Sequence, residues 1–251
     1  MKMKTEKSGR EIILCQDKED LADKAAKSFV KTVKEILSRQ AICNLALSGG
    51  STPKMLYARL IQSDLIDQLD WSRIAFFVSD ERCVELKSEE SNWGNAYRLL
   101  LSKLPVDNDR LHPTAFQEEN ADKSASEYEN KIRHLLPLDD KGVPRFDLIY
   151  LGMGPDGHTA SLFPDTEGLK EKKRLVIKNH VGKLNVDRVS FTFTLINAAA
   201  RVVFLVAGKD KAPVVKEIIE NAADYPCAHV APENGELSWF LDREAASDLE
   251  I

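Results

Sequence analysis

Apolar and polar positions along the chain fall into two repeating patterns. Glu11–Cys15 (EIILC), Ile42–Leu47, Arg73–Val78 (RIAFFV), Asp147–Leu151 and Arg201–Ala207 (RVVFLVA) are apolar at nearly every position. Short runs of that kind predict strands, and Arg73–Val78, Asp147–Leu151 and Arg201–Ala207 read as buried ones, covered on both faces. Arg188–Thr194 (RVSFTFT) alternates instead, as a strand with two unlike faces would. The intervening segments carry helical spacing. Asp17 is expected to cap a helix reaching about Ser38, with Leu21, Ala25, Phe29, Val33, Ile36 and Leu37 along one side. A second helix should follow SGGSTP, with Met55, Leu56, the stem of Arg59 and Leu60 on its apolar side. Asn92–Leu104, Asp122–Leu136 and Lys211–Asn221 are also helical in period, whereas Ser238–Ala246 is short and ambiguous.

Strands alternating with helices predict an α/β fold, doubly wound, with a mostly parallel sheet and helices on both faces. Neither an internal repeat nor a low-complexity linker interrupts the pattern, so residues 1–251 read as one domain. In such sheets ligands sit beyond the carboxyl ends of the strands. That rule selects Ser48–Pro53, Ser79–Arg82, Gly152–His158 and Gly208–Lys211, each of which follows an apolar strand.

Composition narrows the picture only modestly. The chain is 43% hydrophobic and 30% charged, ordinary for a folded protein, and its net charge of −5 gives no reason to expect nucleic acid or an anionic membrane as partner. An anionic ligand would need a local cationic cluster. The start, MKMKTEKSGREI, lacks the apolar stretch of a secretory signal, and no window is long and apolar enough for a transmembrane helix. Cys15, Cys43, Cys83 and Cys227 have no paired spacing that suggests metal or disulfide, so the expectation is reduced thiols in the cytoplasm.

The four strand-end segments carry most of the suggestive chemistry. In SGGSTP the glycines allow backbone angles closed to other residues and bring amides close to a ligand. Ser51 or Thr52 is expected to cap the following helix, with Pro53 in its first position; such an amino terminus suits a phosphate or carboxylate. The same residues also fit a plain strand-turn-helix connection. SDER, Ser79–Arg82, places two acids and a guanidinium together. Arg82 suits a phosphate, and Asp80 a sugar hydroxyl or a proton transfer; an exposed ion pair is the plainer reading. GKDKAP supplies Lys209 and Lys211 at a helix start, where lysine opposes the helix dipole, or merely two solvated surface lysines.

Gly152, Gly154 and Gly157 form a literal G-x-G-x-x-G. A dinucleotide site also needs a long following helix and an acid about 20 residues on. Here Pro155 stiffens the turn, Pro164 allows barely two helical turns, and Glu171 lies in a charged run. The stretch offers Asp156 and His158 instead, two apart on a glycine-rich turn, with Thr159 and Ser161 beside them. A histidine so placed suits a general base near neutral pH, oriented by the carboxylate. His112, His134, His180 and His229 have no such setting and read as surface or packing residues.

LALSGGSTPKMLY, FFVSDERCVELKSEESN, LGMGPDGHTASLFP, RVSFTFTLINAAARVVFLVAGKDKA and AHVAPENGELSWFLDREAA, in this order, resemble the 6-phosphogluconolactonase family over about Ala41 to Ala246. The resemblance implies a Rossmann-like fold similar to that of the glucosamine-6-phosphate deaminases. It implies hydrolysis of 6-phospho-D-glucono-1,5-lactone to 6-phosphogluconate in the oxidative pentose phosphate pathway. The partner it implies is that small sugar phosphate lactone, with no obligatory protein partner, no organic cofactor and no metal. By the family pattern His158 activates water with Asp156 beside it. Gly49, Gly50, Ser51, Thr52, Arg82 and a lysine of GKDKA, Lys211 before Lys209, receive the phosphate. The alternatives are a deaminase/isomerase of glucosamine 6-phosphate and a non-catalytic sugar-phosphate sensor. Deaminases read DGHIAFNEP, with a glutamate before the proline where this chain has Phe163.

Overall fold

The apolar runs become the strands of one sheet. A computed structural model describes residues 2–4, 10–62, 64–114 and 120–250. Its elements are β1 (Lys2–Lys4), β2 (Arg10–Leu14), α1 (Lys18–Leu37), β3 (Cys43–Leu47), α2 (Ser51–Gln62), β4 (Ile74–Val78), β5 (Asp80–Arg82), α3 (Asn92–Leu99) and α4 (Ala121–Leu135). They continue with β6 (Leu148–Leu151), β7 (Val176–Val181), β8 (Val186–Phe191), α5 (Phe193–Asn197), β9 (Arg201–Val206), α6 (Ala212–Ile219) and β10 (Glu236–Leu241).

Seven strands form the main sheet in the order β1-β2-β10-β9-β6-β3-β4, and all neighbours are parallel except the β1–β2 pair. Every residue of β3, β4 and β6 is buried, so this part of the sheet is covered on both faces. The architecture is the α/β, Rossmann-like one expected. Phe29, Phe76, Phe77, Phe146, Phe204 and Trp239 are among its fully buried side chains. Each such side chain contributes roughly 1.5–3 kcal/mol by leaving water. Among the described residues no helix is long and apolar enough to cross a membrane.

Chain direction locates the ligand crevice. From β3 the chain proceeds to β4 at one edge, whereas β6, on the other side of β3, is followed by β9 and β10 in the opposite direction. The switch therefore falls between β3 and β6, whose carboxyl ends open into Ser48–Pro53 and Gly152–His158.

A second, antiparallel sheet of order β5-β8-β7 was not legible in the sequence. SDER is not merely a strand-end loop, because Asp80–Arg82 pairs with Arg188–Ser190. The alternating run does form a strand, but outside the main sheet, and its last residues turn into α5. His180 lies on β7 and is exposed there, as a surface residue should be. Glu129 of α4 ties this sheet down: its carboxylate accepts from the amides of Leu175 (3.0 Å) and Val176 (3.2 Å) at the start of β7.

Other boundaries shift for local reasons. Asp17 does cap α1, its carboxylate accepting from the amide of Asp20 at 2.8 Å. The Asn92–Leu104 helix ends at Leu99 and resumes as a separate turn, and the helix expected from Lys211 begins at Ala212 after a tight turn at Lys209–Lys211. The ambiguous closing segment supplies β10, which sits between β2 and β9. Residues 1 and 5–9 of the amino-terminal stretch, and residue 251, lie outside the described residues.

Candidate active site

A cavity of about 360 Å³ opens at the β3/β6 crevice. Ser48–Pro53, Asp80, Arg82, His158 and Gly208 with Lys211 all line it, so the four strand-end segments converge on one rim. Lys209 does not line it and is exposed, whereas the side chain of Lys211 is 16% exposed. The plain-surface reading therefore fits Lys209 alone.

The SGGSTP turn is tighter than expected. Neither Ser51 nor Thr52 precedes the helix as its cap; α2 begins at Ser51, and Pro53 is its third residue. Gly50 takes the preceding position with φ of 97°, which a side chain would strain. A Cβ on Gly49 would stand 1.9 Å from Oδ1 of Asn92, so only glycine fits there. The amides of Ser51 and Thr52 lie in the first turn, without intrahelical acceptors, against the cavity. Their positive helix end suits an anion.

Asp80 and Glu81 have different tasks. Glu81 is buried and accepts from the amides of Arg82 (2.7 Å), Asn92 (2.7 Å) and Trp93 (2.8 Å) and from the Ser91 hydroxyl (2.9 Å). Burial pushes its carboxyl upward, and those four donors oppose the shift. It is a structural anchor for the start of α3. Asp80 faces the cavity, with Oδ2 accepting from Ser161 at 2.8 Å and Oδ1 from Ser79 at 3.2 Å. Arg82 donates through Nη1 to the Glu90 carbonyl, and its buried Nε has no partner among the described residues.

The glycine run after β6 builds a dyad. Gly154 N–H donates to the His158 carbonyl (2.9 Å) and Gly157 N–H to the Gly154 carbonyl (3.0 Å), curling the chain into a closed turn with no helix after it. A Cβ on Gly154 would stand 2.0 Å from His158 Nδ1, and Gly157 has φ of 74° with the Tyr225 ring against it. The glycines thus make room for side chains, not for a pyrophosphate. Asp156 Oδ1 meets His158 Nδ1 at 2.6 Å.

Electrostatics fix the state of that pair. Burial alone would raise the Asp156 carboxyl, but hydrogen bonds from Lys183 and His158 hold it at about 2. Burial pushes the His158 imidazole below its ordinary value of 6.5, against the opposing pull of Asp156 and Asp80. At neutral pH the pair is therefore carboxylate and neutral imidazole. The carboxylate takes the Nδ1 proton, which leaves the Nε2 lone pair free.

Several contributors escaped the sequence reading. Lys18, the first residue of α1, lines the cavity, as does Asn92, whose Nδ2 donates to the Asp80 carbonyl at 2.9 Å. Their positions depend on long-range packing and carry no local signature. Phe163 stacks on His158 with ring centroids 3.9 Å apart, and Lys183 contacts Asp156 from the β7–β8 turn. Among the described residues no three His, Cys, Asp or Glu side chains form a group able to hold a metal ion.

Comparison with known proteins gives the chain a family. A family model described as glucosamine-6-phosphate isomerases/6-phosphogluconolactonase matches residues 16–239. A 6-phosphogluconolactonase of Synechocystis is 36% identical over 237 residues, covering 93% of this chain and 95% of that protein. A solved 6-phosphogluconolactonase from Trypanosoma brucei superposes with a TM-score of 0.86 at 31% identity, covering 95% of this chain and 98% of that one. A monomeric glucosamine-6-phosphate deaminase superposes at 0.78 with 21% identity, covering 95% of this chain and 99% of that one, and so shares the fold. The chain belongs to the glucosamine-6-phosphate isomerase/6-phosphogluconolactonase family.

Proposed function

From that family membership, we propose that the protein hydrolyses 6-phospho-D-glucono-1,5-lactone to 6-phosphogluconate, a step of the oxidative pentose phosphate pathway. The observation that carries the reading is the joining, in one cavity, of a neutral, Asp-oriented imidazole and an amide-rich helix start with Arg82 and Lys211 beside it. The amides of Ser51 and Thr52, with Arg82 and Lys211, hold the phosphate; Lys18 lines the same cavity and adds charge to it. Anchoring the remote phosphate sets C1 of the lactone against His158, so orientation is settled before chemistry begins.

His158 Nε2 takes a proton from water as the water oxygen attacks C1. Negative charge gathers on the carbonyl oxygen, opposed by the amides of Gly152 and Met153, which border the cavity. Collapse breaks the bond from C1 to the ring oxygen, and the imidazolium returns its proton to that oxygen. Asp156 keeps the imidazole in the Nδ1-protonated tautomer throughout. Asp80, held by Ser79 and Ser161, is suited to accept from a sugar hydroxyl. Isomerisation or deamination would want a second carboxylate on His158; Phe163 stands there instead. A non-catalytic sensor would have no use for the dyad.

A coupled assay tests the reading. Glucose-6-phosphate dehydrogenase generates the lactone, and the protein should accelerate 6-phosphogluconate formation beyond the spontaneous rate. No acceleration, or ammonia released from glucosamine 6-phosphate, would overturn it.

A further inference from the structure

The β7–β8 turn, Gly182–Leu184 followed by Asn185 in the left-handed region at φ of 49°, carries Lys183 over the dyad. Its Nζ contacts Asp156 Oδ2 and lies 4.7 Å from the centroid of the Phe163 ring. The same ring lies against His158, 3.9 Å between centroids and 20° between planes. Asp156 Oδ1 meets His158 Nδ1 at 2.6 Å. The four side chains close a circuit: the ammonium touches the carboxylate and the ring, and both of these touch the imidazole. Asp156 Oδ1 is held by the ring and the amide (3.3 Å) of His158 and Oδ2 by Lys183, so its rotation is blocked from both sides.

We propose that Lys183 is a positioning residue for His158: from the β7–β8 turn it clamps Asp156 and Phe163 and so fixes the plane and tautomer of the imidazole. This inference rests on the proposed general-base role of His158. Lys183 does not line the cavity, so it acts through its two neighbours rather than on substrate.

The clamp has an electrostatic consequence separable from mere support. The charged groups acting on the imidazole are Asp156 on its own turn, Asp80 from β5 and Lys183 from the β7–β8 turn; Arg82 and Lys211 border the same cavity. The carboxylates favour the imidazolium and Lys183 disfavours it. Removing the ammonium leaves the carboxylates less opposed, so protonation moves to higher pH. The Lys183 side chain is 52% exposed, which makes the effect modest and sensitive to salt.

An NMR titration of the His158 Cε1–H signal in the intact protein tests this, alongside the pH profile of kcat/KM. In Lys183→Met the His158 midpoint should rise by about half a pH unit at low ionic strength. The acid limb of kcat/KM should move with it. Lys183→Arg, which restores a cation over the ring, should return the midpoint to that of the parent. About 1 M salt should erase most of the difference. An unchanged or lowered midpoint in Lys183→Met overturns the clamp. The fate of the underlying reading is separate: if His158→Ala hydrolysed lactone at the parental rate, the general-base role would fall, while the titration would still decide the clamp.

Discussion

The imidazole of His158 lies nearly flat on the ring of Phe163, 3.9 Å between centroids and 20° between planes. One face of the base is therefore covered by hydrocarbon, and its Nδ1 edge is occupied by Asp156. The only polar atom left for a reacting water is Nε2. Phe163 both dries one face of the base and occupies the place of a possible second acid.

The depressed imidazole sets the pH range of activity. The active form is neutral, and burial lowers its affinity for protons below that of a free histidine, ordinarily near 6.5. Activity should therefore persist as pH falls through 6.5 and be lost only below it, a profile that kcat/KM measured from pH 4.5 to 8 will trace. His158→Ala should lower kcat by about 10²-fold or more and leave KM nearly unchanged.

Gly154 is the floor under the dyad. In Gly154→Ala the new methyl would stand 2.0 Å from His158 Nδ1 and 2.7 Å from Asp156 Oδ1, so the side chains must separate. The expected result is a kcat loss of about tenfold or more with phosphate affinity retained. Inhibition by a non-hydrolysable sugar phosphate at the parental constant, together with reduced turnover, would show that only the dyad moved.

Adjacent residues on β5 should fail in different ways. Glu81→Ala strands three backbone N–H groups and the Ser91 hydroxyl, and should cost about 2–4 kcal/mol of stability in a denaturant titration. Arg82→Ala should leave stability nearly unchanged and raise KM about tenfold or more through the lost phosphate partner.

The two lysines of GKDKAP differ as sharply. Lys211→Ala should raise KM by about tenfold, because its side chain is in the cavity wall. Lys209→Ala should leave steady-state constants within about twofold, since the exposed side chain does not line the site.

What could be read in the sequence was whatever local pattern determines. Fully apolar runs gave β3, β4, β6 and β9 to within a residue or two, and the glycine turns after β3 and β6 marked the crevice. The second sheet was illegible because β5 is only three residues long and has meaning only through its partner β8. Lys18 escaped notice because it lies 30 residues before the loop it faces and begins an unremarkable helix. In the case of Glu81 the type of residue was plain but not its use: a buried carboxylate serving three amides looks, in sequence, like one more acid beside Asp80.

The placement of β10 ties distant parts of the chain together. β2 joins the rest of the main sheet only through β10, which enters between it and β9. Without residues 236–241, β2 has only the three-residue β1 as a neighbour within that sheet. Lys18 leaves β2 by a turn of three residues and lines the cavity. The seating of β2, and with it the start of α1 that carries Lys18 to the cavity, therefore depends on a strand more than 200 residues further along the chain.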